Sequence, residues 1–218
     1  METGNFYSNT SHNRDDGGLM NDQCCQPFGG SGYKALQALQ QYWNLLLWRR
    51  RDSGRPSLNP SLVPLRSAFD PMKIHRHLPD IYIAERKSDA VLTVRVAGTA
   101  IDEAAGFSMQ GANYFDVCLP QEREFFIAVT GAMLKQPCGM KLTRRVTLKS
   151  GQVFKYSAMC FPFADRDGVP RYIVGMAKIA ADASRSHFET SSTLRSEISD
   201  FSYIDIGAGL PAKPMLLV

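Results

Sequence analysis

The sequence predicts an α+β chain built on an antiparallel sheet, and three observations carry that prediction. Two short runs, Ile81 to Glu85 and Val91 to Ala97, alternate in polarity and are rich in β-branched residues, as strands are. A helical-period run from Pro120 to Lys135 follows them. Three more strand-like runs then close the pattern, separated by Ser150-Gly151 and Asp167-Gly168, turn pairs that join neighbouring antiparallel strands.

The elements follow in chain order. Residues 1–32 are rich in Gly, Asn, Asp and Ser and predict a disordered leader. Within 33–69, the segment Tyr33 to Arg51 has no Gly or Pro and places Leu36, Leu39, Trp43, Leu46 and Leu47 at helical spacing. This amphipathic helix of about five turns ends at Ser53-Gly54-Arg55-Pro56, and a connector punctuated by Pro60 and Pro64 follows. Asp70-Pro71 sets a capping carboxylate before a proline at the first helical position, so a short helix is expected to about His77. Leu78-Pro79-Asp80 should stop it.

Thr99 to Ala105 can form one or two helical turns before Gly106. The helix from Pro120 carries Glu122 and Glu124 in its first turn, which suits the positive end of its dipole, and stops at Gln136-Pro137. In the run after it, Leu142, Val146 and Leu148 alternate with Thr143, Arg145, Thr147 and Lys149; Arg144 falls on the apolar side. The runs Val153 to Phe163 and Arg171 to Lys178 complete a domain over 70–180, and 181–218 is expected to be a flexible tail.

Size and composition narrow the function. A chain of 218 residues with 44% hydrophobic and 21% charged residues can bury one core plus tails. Its densest apolar run, Leu45-Leu46-Leu47-Trp48, meets three arginines far short of the ~18 to 20 residues a bilayer span requires. The N-terminus lacks a basic stretch followed by an apolar one, so no secretory signal is read and a cytoplasmic location is expected. The five cysteines, Cys24, Cys25, Cys118, Cys138 and Cys160, lack C-x-x-C spacing and predict neither a disulfide framework nor a zinc site. The net charge of +4 is concentrated between Lys34 and Arg55, where five bases face one acid. The rest of the chain is neutral.

The motifs Leu78-Pro79-Asp80, Arg95-Val96-Ala97-Gly98-Thr99 and Gly106 through Gly111, in that order, resemble the opening of a PAS sensor domain. The likeness covers about Asp70 to Ala180 and is similar to a compact bacterial subfamily in which one PAS unit makes up most of a small protein. It implies a five-stranded antiparallel sheet with helices on one face. It also implies a non-enzymatic sensor or adaptor in signalling that works through a protein partner. Flanking helices of such domains often join two subunits, so Leu36, Leu39, Trp43, Leu46 and Leu47 are the expected homodimer contact.

Family-type cofactors find little support in the residues. The helix from Pro120 to Lys135, where haem-binding relatives carry their ligand, has no histidine; the four in the chain are His12, His75, His77 and His187. Flavin-binding photosensors place a cysteine after Gly-x-Asn, whereas this chain reads Gly111-Ala112-Asn113-Tyr114. No metal or cofactor is therefore expected. The motif patterns of phosphate-binding loops, zincins and serine hydrolases are also missing.

What remains is a small-ligand pocket between helices and sheet, for which Val94, Phe115, Phe125, Val129, Val146 and Tyr156 are the candidate walls. Gly98, Gly106 and Gly111 are the candidate structural turns. A rival reading takes Arg49, Arg50, Arg51 and Arg55 as a nucleic-acid contact; the solvated end of a helix outweighs it. An enzyme on a cone-shaped α+β fold stands third.

Overall fold

The computed structural model describes residues 31–52, 63–149, 151, 153–181, 193–212 and 214. Residues 1–30 of the expected leader, the connector at 53–62 with Arg55, and the side chains of Arg50 and Arg51 lie outside the described residues, whereas residues 31 and 32, expected in the leader, begin helix α1. Helix α1 spans Ser31–Asp52. A 3-10 segment, Pro71–Asp80, is kinked at Ile74 and capped as expected, with Asp70 Oδ1 accepting from the Met72 N–H at 3.0 Å. It runs through Pro79 instead of ending at His77.

Strands β1 (Ile81–Ser88) and β2 (Val91–Ala97) form a hairpin. Helices α2 (Thr99–Ala105), α3 (Tyr114–Val117) and α4 (Arg123–Lys135) follow. Strands β3 (Gly139–Leu148), β4 (Val153–Ala164), β5 (Pro170–Ala181) and β6 (Thr193–Ile204) complete one antiparallel sheet in the order β2-β1-β5-β4-β3-β6. The sheet thus has six strands where the sequence predicts five. The sixth comes from the segment read as a tail.

Strand β6 escaped the sequence pattern because its alternation changes phase. Thr143 of β3 pairs with Asp200 and Arg144 with Ile198, so Ser199 is an extra residue without an opposite number. Such a bulge flips the side-chain phase. Ser196 and Ile198 face inward before it, and the buried Phe201 and Tyr203 do so after it.

Both faces of the sheet are covered, not one. Ile81, Ile83, Met159, Phe161, Phe163, Val174 and Met176 project to one side, where α1 lies on them. Trp43 stacks on Phe161 with ring centroids 5.2 Å apart, and its Nε1–H donates to the Pro162 carbonyl at 3.1 Å. Leu36, Leu39, Trp43, Leu46 and Leu47 are all buried there, with Leu39 and Trp43 at 1% exposure. The stripe expected to meet a second subunit is therefore consumed by the chain's own sheet. Burying each such side chain contributes about 1.5–3 kcal/mol, so it is not free to turn outward. Leu45 and Trp48 stand exposed on the opposite face of α1.

Candidate ligand cavity

Residues one position out of phase with those under α1 face the other side: Tyr82 and Ala84 from β1, Met140 and Leu142 from β3, Ala158 and Cys160 from β4, and Ile173 from β5. Helices α2, α3 and α4 roof this face without filling it. Two cavity lobes of about 100 and 80 Å³ remain. Ile101, Met109, Tyr114 and Tyr156 line both lobes, so they form the wall where the lobes meet.

The roof is positioned by short polar devices. Gly98 brings the chain from β2 into α2, and a Cβ there would stand 2.3 Å from the carbonyl oxygens of Leu78 and Pro79. Its requirement is close backbone approach, since its φ is −74°. Gly111 has open space around it but a φ of +86°, and Gly106 caps α2 at +79°. Asn113 ties the start of α3 to β2: its Oδ1 accepts from the Leu92 N–H at 2.9 Å and its Nδ2 donates to the Ala90 carbonyl at 3.1 Å. Tyr114 is thereby held over the sheet.

The polar side chains of the cavity are few. Arg144 lines the first lobe, its guanidinium 4.7 Å from the centre of the Tyr156 ring. Its Nη1 donates to Glu122 Oε2 at 2.6 Å, while its buried Nε has no partner. Glu122 is also buried, and its other oxygen accepts from Ser196 Oγ of β6 at 2.6 Å. Burial works against the Arg144 charge, but Tyr114, Glu122 and Tyr156 outweigh it and raise the pKa above the ordinary arginine value. The group is a cation at any working pH. Burial also raises the Tyr82, Tyr114 and Tyr156 phenols, so all three stay protonated. The Cys160 thiol is likewise pushed up by burial to about 12.

Of the six candidate walls, Val94, Val146 and Tyr156 line the cavity. Phe115, Phe125 and Val129 do not: they lie in the core at 1%, 4% and 0% exposure. Phe115 packs under Arg86, and Phe125 meets Phe201 of β6 edge to face. Sequence reasoning missed Tyr82, Tyr114, Ile101, Met109 and Arg144 as walls. Only Arg144 carried a signal, a cation on the apolar side of a strand. Among the described residues, no group of three or more His, Cys, Asp or Glu is placed to hold a metal ion. Arg49 is exposed near the end of α1; among the described residues, no helix is long and apolar enough to cross a membrane.

A family model for the PAS domain matches residues 32–178, more than half of the chain. The chain belongs to the PAS domain family. Three solved structures are similar to part of it at low identity. VqmA of Vibrio cholerae, in a complex with ligand and DNA, is 15% identical over 50% of this chain and 49% of that one, with a TM-score of 0.39. The VqmA dimer without its target DNA is 14% identical over 51% of this chain and 52% of that one, with a TM-score of 0.40. A PAS domain from Colwellia psychrerythraea is 17% identical over 52% of this chain and 100% of that domain, with a TM-score of 0.35. The match spans about half the length of VqmA. No curated protein matches the chain.

Proposed function

We propose that this PAS protein is a non-enzymatic sensor whose cavity takes a small ligand and whose output passes through protein contacts. The observation that supports it is the two-lobed, largely apolar space left under α2, α3 and α4, with a few polar side chains placed in its wall. The phenols and the Cys160 thiol in that wall are raised by burial and stay protonated, which suits binding rather than catalysis. Exposed Leu45 and Trp48 on the outer face of α1 offer a contact surface for a protein partner, and self-association through that face belongs to this reading.

Native mass spectrometry of protein purified from its own host tests both parts. The expected result is a small organic molecule retained by the chain, together with a dimer mass. Ligand-free chain in every gentle preparation would overturn the sensor reading. A monomer at tens of micromolar would remove self-association alone.

A further inference from the structure

The two edges of the sheet end differently. The outer edge of β2 is closed by the roof: the Val94 N–H donates to the Ala112 carbonyl at 2.9 Å, the Gly111 N–H to the Val94 carbonyl at 2.8 Å, and the Leu92 N–H to Asn113 Oδ1 at 2.9 Å. The other edge is β6, a strand of 12 residues that pairs on one side with β3. Among the described residues, no strand or loop backbone hydrogen-bonds to its outer side. Such an edge presents N–H and C=O groups that a further strand can satisfy. Because the β2 edge is closed, a second copy pairing through β6 would use up both open edges and give a closed two-fold dimer instead of a filament.

Charge selects the register. Opposed residues of an antiparallel pair project to the same face and successive residues alternate, so the two-fold axis of a self-paired strand passes through a residue. Register shifts divide β6, and Arg195 to Ile198 form an unbroken stretch opposite Thr147 to Arg144. In that stretch an axis at Arg195 or Glu197 would set like charges face to face, which is unfavourable. An axis at Ser196 sets Arg195 of each copy opposite Glu197 of the other. The second unbroken stretch, Asp200 to Ile204, holds a single charge and cannot pair opposite charges within itself.

We infer that two copies of this chain join edge to edge along β6, with the two-fold axis at Ser196 and two Arg195–Glu197 pairs across it. Both side chains are exposed, and within one chain they already stand 3.7 Å apart. Ser196 projects to the roof side of the sheet, where its Oγ donates to Glu122 at 2.6 Å. The axis is therefore one hydrogen bond from the carboxylate that holds Arg144 in the cavity wall. This contact depends neither on the outer face of α1 nor on a ligand in the cavity.

Charge reversal in the full chain tests it, read by sedimentation at tens of micromolar. The wild type should be a dimer. Arg195→Glu sets acid against acid and Glu197→Arg base against base, and each should weaken the dimer at least ~10-fold. Each variant also loses the pair within its own chain, so the decisive sample is an equimolar mixture of the two. There the two acids of one copy face the two bases of the other, and native mass spectrometry should show the heterodimer in preference to both homodimers. Trp48→Glu, on the outer face of α1, should leave the wild-type dimer intact. Single variants that dimerise like the wild type, or a mixture with no preference for the heterodimer, would overturn the inference. A dimer lost in Trp48→Glu but kept in Arg195→Glu would assign self-association to α1 instead. A monomeric wild type would also overturn it, and a small molecule retained by that monomer would leave the sensor reading standing.

Discussion

On the α1 face of the sheet, Trp43, Phe161, Phe163, Val174 and Met176 are each at most 1% exposed and pack in one cluster with the helix. On the opposite face the same strands present Tyr82, Met140, Ala158 and Cys160 to a roof of short helices, and space remains. The strands are shared, so the difference lies in what covers them. One long helix with a continuous apolar stripe fits a sheet closely; three short helices linked by turns do not. The first face supplies stability. The second holds the cavity and its buried Arg144–Glu122 pair.

This contrast is sharpest for large-to-small substitution. Trp43→Ala should lower the unfolding free energy by about 3–5 kcal/mol, read by denaturant titration, without moving the Met109 methyl signal in the folded protein. A loss below ~1 kcal/mol would show that α1 is not an integral cover of the sheet.

On the cavity side, breaking the ion pair should matter more than removing it. Glu122→Ala leaves a buried cation alone and should cost about 3–5 kcal/mol, whereas Arg144→Met/Glu122→Met should fall close to wild type or above it. Equal losses in the single and double variants would show that the pair stabilises the fold outright.

The turns that hold the roof should separate by mechanism. Gly98→Val forces a side chain into two carbonyl oxygens and should cost ~3 kcal/mol or more. Gly111→Val meets open space and carries only the strain of a positive φ, about 1–2 kcal/mol. Thermal melting that ranks them in the reverse order would contradict the described path from β2 to α3.

The smallest effect at neutral pH belongs to the buried thiols. Cys118, Cys138 and Cys160 are pushed up by burial, to about 11, 12 and 12. The native state therefore keeps protons that the unfolded chain releases from about pH 9, so their contribution is complete below that pH and declines as pH rises through the native values. Denaturant midpoints should be flat in this respect from pH 7 to 8 and fall above pH 9. A Cys118→Ala/Cys138→Ala/Cys160→Ala variant with the same alkaline decline would assign it to other groups.

The order of strands and of the longer helices from Asp70 to Lys178 was legible from β-rich runs bounded by turn residues and from helix start and stop signals, whereas the four-residue α3 was not predicted. Strand β6 was not legible, since the bulge at Ser199 breaks its period. The cover of the α1 stripe was equally hidden: periodicity shows that Leu39 and Trp43 must be buried but not against which surface. The same ambiguity divided the predicted pocket. Phe115, Phe125 and Val129 have the apolar character of cavity walls yet pack solidly in the core, because pattern distinguishes inside from outside and not filled from empty. Arg144 was visible as a misplaced cation. Its partner Glu122, 22 residues earlier and seemingly a helix-start carboxylate, became meaningful only through the fold.

The central claim, that open space lies on one face of the sheet and not the other, has a direct test in xenon, which enters dry apolar cavities. Methionine methyl NMR under xenon pressure reports both faces at once. Met109 and Met140 line the lobes, whereas Met159 and Met176 lie under α1. The account predicts saturable shifts of the Met109 and Met140 signals with Met159 and Met176 unmoved. Shifts confined to Met159 and Met176, or the same response on both faces, would contradict it.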